Sequence, residues 1–511
     1  MKKDVGLLLI IAFLSKIGGF IKDIALTYYY GASYITDAYI ISLTIPNTVL
    51  ALLSTTINTS YIPIYSEINK IHGHNGCNTF TNQIVNLVLI FCTVFCAAVI
   101  LFTKPIVWVF ASGFEPKALD TAIMFTRLSI VQLYFMAVSY LLHTYLQLEK
   151  SFLLPGLLSL PIKLVVILSI AISIKTNISV LIVGTVAASI LETTILIILS
   201  YRKKYRYKAE LNMKDPNLKK MGALTLPALA GTSTNQLNIM AGKTIASYIA
   251  EGGITALNYA RQLEGFISGT VVQSISIVIY PDMAKKAAHN DIEGLKKTLS
   301  SALILVSLLI IPGSIGAMVF SESIVKMLFS RGAFNVQAAR MTSMAWFYYS
   351  TGMLWFGVRA LLVRAFYALQ DTKSPVKNSF IGVAVNIVLN IILSKFLGIA
   401  GLALAASISE FISMILLIIV LRRKIGLLHL QKYFAASIKI LIVSLFMGYA
   451  AYQAYQFLIT IYDKNLSLIL SVTIGIIIYA AAILFMKIEV VDLTARNLHI
   501  RLIRLWKGKG H

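Results

Sequence analysis

Lys16, Lys22 and Arg261 stand inside long apolar runs, where a cation at mid-helix opposes membrane insertion by ~2.5–3.5 kcal/mol. Such a residue is kept where it pairs or where it faces a polar cavity. Acids lie close by. Glu264 follows Arg261 by three residues, on one helical face. Asp23 follows Lys16 by seven, on the same face two turns further on. Six other basic residues fall within apolar segments: Arg127, Lys163, Lys243, Arg359, Arg364 and Lys439. The clearest acids in these segments are Asp23, Asp37, Glu192, Glu264 and Glu410. Lys439 and Arg364 lie near segment ends and suit snorkelling. Lys16, at mid-segment beside Gly18-Gly19, does not. For Lys16, Lys22 and Arg261 a polar cavity and structural ion pairing both remain open. A surplus of cations in a cavity fits an anionic substrate, phosphate first, because Arg and Lys pair strongly with phosphate oxygens.

Other chemistries are missing from the sequence. There is no G-x-x-x-x-G-K-[ST] loop, so the chain does not hydrolyse ATP itself. It has no H-E-x-x-H, no paired CxxC and no Asp-rich cluster. His72, His74 and Cys77 share one short loop and could hold a metal, but read better as a solvated loop. Cys92 and Cys96, one turn apart, read as small apolar packing residues. No metal or cofactor is expected.

The elements that carry the buried charges follow from composition. Of 511 residues, 58% are apolar and 13% charged, with a mean hydropathy of +0.80. A soluble globular chain has about a quarter of its residues charged, and a disordered chain lacks this apolar content. Three cysteines in a chain of 511 residues exclude a small disulfide scaffold. A polytopic, all-α membrane protein remains. The net charge of +24 would suit nucleic acid, but the basic residues sit mainly between apolar runs, as in cytoplasmic loops, so no nucleic-acid partner is expected.

Fourteen spans are expected, near 5–29, 34–66, 79–103, 118–148, 151–174, 178–201, 217–249, 253–283, 298–325, 336–369, 375–396, 399–421, 432–460 and 465–486. The run Leu7–Leu14 behind Lys2 and Lys3 resembles a signal peptide. Without a small-residue cleavage site, and with Lys16 interrupting it, it reads as an uncleaved first helix. With both termini cytoplasmic, the inner segments hold 28 Lys and Arg and the outer ones 8. That is the bias a plasma-membrane protein shows.

The two halves repeat. Ile35-Thr36 returns as Ile254-Thr255, Trp108–Gly113 as Met327–Gly332, and Pro155 as Pro375, at offsets of 219, 219 and 220. The offset maps spans one to six onto seven to twelve in the same orientation, so the expected repeats are parallel. They form an N-lobe (1–201) and a C-lobe (221–425) around a central cavity, joined by a basic cytoplasmic linker (202–220). In that arrangement Arg261 could meet Lys16 and Lys22. Gly18-Gly19, Pro46, Pro227 and Gly231 are expected to interrupt spans one, two and seven. Spans thirteen and fourteen (426–487) are an unpaired addition. The tail 488–511 interleaves apolar and basic residues and reads as an amphipathic helix on anionic membrane lipid.

Several motifs resemble one family. Ser15-Lys16-Ile17-Gly18-Gly19-Phe20-Ile21-Lys22-Asp23, then Gly31-Ala32, Thr36-Asp37-Ala38-Tyr39 and Ile45-Pro46-Asn47, are similar to the first two helices of the MurJ/MviN lipid II flippases. Tyr259-Ala260-Arg261-Gln262-Leu263-Glu264 resembles the eighth helix of that family. Phe329–Phe334, Arg364–Ala368, Asp371–Pro375 and Gly398–Ala405 continue the likeness, which covers most of residues 1–425. The resemblance implies the multidrug/oligosaccharidyl-lipid/polysaccharide exporter fold. It also implies transfer of undecaprenyl-pyrophosphate-linked peptidoglycan precursor from the inner to the outer leaflet by alternating access, without enzymatic chemistry. It implies a lipid-tail groove in spans thirteen and fourteen, and substrate contacts at Lys16, Lys22 and Arg261; with the other charges buried in these spans, the expected substrate-binding set is Lys16, Lys22, Asp23, Asp37, Lys243, Arg261 and Glu264. Lysine stands at 16 and 22 where the family has arginine, and Leu50 where it has another, with Lys243 as an added cation. The family's small-Glu-Gly stretch reads Ser54-Thr55-Thr56 here. Cell-wall synthesis proteins are the expected partners. Three alternatives stay open: a flippase for another undecaprenyl-linked glycan (capsule, O-antigen or teichoic type), a drug/cation antiporter of the same fold, and a non-transporting cell-wall assembly scaffold.

The charge bias makes a direct prediction. A cysteine introduced by Asn212→Cys should resist an impermeant thiol reagent in intact cells and react after permeabilisation. Labelling of intact cells would invert the orientation.

Overall fold

A computed structural model describes residues 2–151, 156–428 and 430–486. Pro155 and the tail 488–511 lie outside the described residues. Within them the chain is helical, with no strand. Helices α1 (Lys2–Tyr30), α2 (Tyr34–Thr56), α3 (Ile62–Leu101), α4 (Thr103–Phe110), α5 (Pro116–Ser129) and α6 (Gln132–Leu148) come first. Then follow α7 (Ser159–Lys175), α8 (Ser179–Arg202), α9 (Pro216–Ile249), α10 (Gly253–Ala288), α11 (Ile292–Val319) and α12 (Ser321–Phe329). The last five are α13 (Val336–Ala368), α14 (Lys373–Leu397), α15 (Ile399–Ile425), α16 (Leu430–Leu458) and α17 (Lys464–Phe485).

Among the described residues, eight helical runs are long and apolar enough to cross a membrane, or nine with α5 and α6 taken as one span bent by 46°. One of the eight, Tyr34–Leu101, is 68 residues long and covers two expected spans. Helices α9 and α13 fall outside the set because they are polar. Thr232, Thr234, Asn235, Gln236 and Asn238 crowd the middle of α9, and Ser343, Ser350 and Thr351 lie in α13. Helices of this polarity persist in a bundle where they face protein or a water-filled space.

The expected helix interruptions are corrected. Helices α1, α2 and α9 run unbroken through Gly18-Gly19, Pro46, Pro227 and Gly231. A proline deletes one helical hydrogen bond, and the rest of the ladder carries the helix past it. The real departures lie elsewhere. A π-helical turn, Ile57–Tyr61, links α2 to α3, and Gly73 breaks α3 with φ 62°.

Two compact units form. Among the described residues, the first holds those within 1–255 and 329–338, and the second those within 256–328 and 339–486. The expected lobes divided the chain within 202–220, whereas α9 packs with the first unit, against α2, α3 and α4. In that unit three loops meet backbone to backbone. Gly31, Gly252 and Gly332 all have left-handed φ, of 63°, 74° and 61°. A Cβ at Gly31 would lie 2.4 Å from the Ala333 carbonyl oxygen, one at Gly252 2.4 Å from that of Ala32, and one at Gly332 2.1 Å from that of Tyr28. Only glycine tolerates both the conformation and the approach. The Ala333 N–H completes the junction by donating to the Tyr28 carbonyl at 2.8 Å.

In the second unit α14 packs on α15, and α16 lies between α11 and α17. The α13–α14 loop is fastened to the end of α15 by Asp371. Its carboxylate accepts from the Ser374 N–H at 3.0 Å, the Ser374 hydroxyl at 2.8 Å and the Lys424 ammonium at 2.9 Å. Burial opposes charge on Asp371, but these donors outweigh it and hold the carboxyl down to about 2. A depressed acid contributes stability that is complete above its unfolded value near 3.8 and lost as pH falls through about 2. Asp371→Asn should therefore lower the melting temperature in detergent at pH 7, by a loss of the order of 1 kcal/mol. The gap from wild type should close as the pH is taken below 3.8. A gap that persists at pH 2 would show that charge is not the cause.

Candidate functional site

The first unit holds the cations of α1. Lys22 pairs with its neighbour Asp23 at 2.9 Å, and Asp23 is almost fully buried. Across from them, the Lys163 ammonium of α7 donates to the Ser15 carbonyl and, at 2.7 Å, to its hydroxyl. Gly18 makes room for this side chain: a Cβ there would stand 3.3 Å from Lys163 Cδ. Lys163 also feels the charges of Lys22, Asp23 and Glu192. Four charged groups from α1, α7 and α8 thus share one region. Sequence reasoning placed Lys163 and Glu192 in spans without assigning them to the site. The signal was present in Gly18-Gly19, a gap of two side chains that a long side chain from elsewhere fills.

Lys243 of α9 donates to the Thr44 hydroxyl of α2 at 2.5 Å. Asp37 is not beside Lys22 in the hydrogen-bond pattern. It is 2% exposed and accepts from the Gly252 N–H at 2.9 Å, the Thr255 N–H at 2.8 Å and the Thr255 hydroxyl at 2.5 Å. Those N–H groups belong to the start of α10, where a helix leaves donors without partners and carries partial positive charge. Asp37 therefore caps a helix more than two hundred residues away in sequence.

The second unit holds the other candidates. Arg261 is exposed on α10, with Glu264 one turn on. Glu264 accepts from the Ser268 hydroxyl at 2.5 Å and feels the charges of Arg261 and Glu410. Tyr349 of α13 lies close enough to interact with both Arg261 and Glu264. Arg359 is different in kind: it grips Glu410 of α15 in a bidentate pair, with Nη2 to Oε1 at 3.1 Å. Its charge is answered within the protein, while Arg261 is exposed. Further along α10 a cleft of about 490 Å³ opens against α13, lined by Gln273, Ser276, Tyr280 and Arg364 among others. The Arg364 guanidinium lies 5.7 Å from the centre of the Tyr280 ring. The cleft and Arg261 share α10, whose Gly265 and Gly269 meet no neighbour within 4 Å. One helix thus carries both Arg261 and one wall of a cleft that mixes apolar and polar side chains. Among the described residues no group of three or more His, Cys, Asp and Glu could hold a metal ion.

Each unit carries partly or fully exposed cations of the kind that pair with anions, and comparison with known proteins gives the lineage. The family model described as lipid II flippase MurJ matches residues 26–473. The chain belongs to the lipid II flippase MurJ family. A curated MurJ relative, the probable lipid II flippase of Buchnera aphidicola subsp. Baizongia pistaciae, is 28% identical over 421 residues, covering 80% of this chain and 81% of its own. A solved structure of lipid II flippase MurJ in an inward closed conformation superposes with a TM-score of 0.80 at 22% identity, over 96% of this chain and 99% of that one. An inward-facing multidrug resistance MATE transporter of the MOP superfamily matches with a TM-score of 0.71 at 12% identity, over 82% and 96%. The fold is thus shared by MurJ and MATE proteins, while the sequence match belongs to MurJ.

For this MurJ-family chain the position of Asp37 separates two roles. If it acts as a cap, Asp37→Ala leaves three donors without their acceptor and should destabilise the detergent-solubilised protein by about 2 kcal/mol or more. If it serves substrate alone, the variant should melt as wild type does and lose only transport.

Proposed function

We propose that this chain moves lipid II, an undecaprenyl-pyrophosphate-linked peptidoglycan precursor, from the inner to the outer leaflet of the bacterial plasma membrane. The observation that carries the reading is the family match over residues 26–473. Arg261, exposed on α10, and Lys22, on α1, are cations of the kind that a pyrophosphate requires. Lys16, Lys243 and Glu264 complete the proposed set, and Asp23 orients Lys22. No covalent chemistry is needed, so the chain is a transporter. Its energy comes from the membrane potential, an ion gradient or consumption of product outside. A potential of ~100 mV is worth about 2.3 kcal/mol per charge, enough to bias a cationic site between faces.

The finer architecture belongs to the same proposal: fourteen spans, cytoplasmic termini, two parallel repeats and a lipid-tail groove formed by α16 and α17. One pair of contacts supports the repeats. A Cβ at Gly113 would meet the Ser247 backbone at 2.6 Å, and one at Gly332 would meet the Tyr28 backbone at 2.1 Å. Gly332 is Gly113 plus 219, and Ser247 is Tyr28 plus 219, so each contact is the other with its halves exchanged. That reciprocity is what a two-fold axis along the membrane normal produces.

Expressed in cells depleted of their own lipid II flippase, the chain should restore growth. Arg261→Ala should abolish rescue while the protein still accumulates, Arg261→Lys should keep part of it, and Lys16→Arg should be tolerated. A purely structural Arg261–Glu264 pair predicts otherwise: Arg261→Ala lowers abundance and Arg261→Ala/Glu264→Ala recovers it. Full rescue by Arg261→Ala at normal abundance overturns the site. Failure of the abundant wild-type chain to rescue assigns it to another undecaprenyl-linked glycan.

A further inference from the structure

Asn78, Asn82 and Asn86 recur every four residues on α3 and so share one face. The non-helical segment joining α8 to α9 runs along that face. Asn78 Nδ2 donates to the Lys204 carbonyl at 3.1 Å, Asn82 Nδ2 to that of Arg206 at 3.0 Å, and Asn86 Nδ2 to those of Lys208 and Glu210 at 3.2 and 2.8 Å. The same asparagines accept in return: the Tyr205 hydroxyl donates to Asn82 Oδ1 at 2.7 Å and the Tyr207 hydroxyl to Asn86 Oδ1 at 2.6 Å. The register has a simple origin. Four helical residues rise ~6 Å and two extended residues span ~6.6 Å, so every second carbonyl meets every fourth asparagine. Arg206 turns back instead, donating to the Tyr201 and Tyr205 carbonyls at 2.9 Å each and so closing the end of α8.

The ladder also sets depth. Asn86 lies ~12 Å along α3 from Asn78, inside the third apolar segment (79–103). The strap is therefore carried down to the level of lipid headgroups. Non-helical backbone is costly there unless its carbonyls find donors, and the asparagines are those donors. With one side of the strap used up, the cations face outward. Lys203, Lys204 and Lys208 are exposed, and Tyr201 and Tyr207 show 43% and 44% of their surface, as interfacial tyrosines do. Glu210 stands 3.8 Å from Lys208 in an exposed pair, and the carbonyls that Arg206 binds leave its charge in place, so Lys203, Lys204 and Arg206 carry most of the available charge.

We propose that residues 203–208 form a docking surface for the phosphate groups of anionic phospholipids, held at headgroup depth by the asparagine ladder. That these lipids belong to the inner leaflet rests on the orientation proposed above. The surface is separate from the site assigned to the transported substrate.

The test uses the full chain in nanodiscs of phosphatidylglycerol or phosphatidylcholine, with hydrogen exchange read at residues 203–210. Phosphatidylglycerol should slow exchange of the strap several-fold relative to phosphatidylcholine, and the difference should shrink as salt is raised. Lys203→Gln/Lys204→Gln/Lys208→Gln should shrink the difference by more than half while leaving exchange in phosphatidylcholine unchanged. Asn82→Ala/Asn86→Ala should speed exchange in both lipids. Equal exchange of the wild type in the two lipids, or an undiminished difference in the triple variant, overturns the proposal. So does protection by an acidic peptide without any response to phosphatidylglycerol. Nanodiscs expose both faces, so an error of orientation shows in the Asn212→Cys labelling and an error about the surface shows here.

Discussion

Inside hydrocarbon every backbone N–H, every carbonyl and every charge has to find its partner within the protein. Helices meet that demand along their length and fail it at their ends and breaks, and the most specific contacts in this chain sit at those places. Asp37 fills the donors at the start of α10. Arg206 takes a carbonyl at the end of α8. Asp371 binds the N–H of Ser374 at the start of α14. The asparagines of α3 do for an irregular strap what a helix does for itself.

The same demand sorts the buried charges into two kinds. Arg359 with Glu410, and Lys163 with Ser15, are answered by neighbours within one unit. Replacing one partner in such a pair strands the other in a poor solvent, which is a structural penalty. Arg261 is exposed, so its charge stays available to something that arrives. Cations of the first kind keep the surrounding helices in register, and a cation of the second kind is what the proposed function calls on.

Much of this was legible in the chain. The apolar runs and the spacing of Lys and Arg gave the membrane class, and the motif around Lys16, Lys22 and Arg261 gave the lineage. Helix breakers were over-read: Pro46 and Gly231 sit inside intact helices, because a local residue preference yields to packing along the whole helix. Asp37 was grouped with the substrate cations, but its partners at residues 252 and 255 lie beyond the reach of any local pattern. The asparagine ladder is hidden from local patterns for a similar reason. Its period of four is visible in α3, yet its meaning needs the strap that only the folded chain lays beside it. The membership of α9 in the first compact unit was hidden too, since sequence repeats record ancestry and packing records contact.

The junction of Gly31, Gly252 and Gly332 bears on how the protein is made. Its three loops are about 220 and 80 residues apart along the chain, and synthesis proceeds from the N-terminus at a modest pace. When α1 and α2 have entered the membrane, the loop at Gly31 has nothing to close against. The cap on α10 becomes possible once Thr255 has been made, and the carbonyl of Tyr28 is claimed only when Ala333 follows. The first unit is therefore finished by a segment translated only after α10, α11 and α12 have been made. Until then its early loops stand open, and a ribosome that stalls between α10 and α12 leaves a half-built unit exposed to membrane proteases.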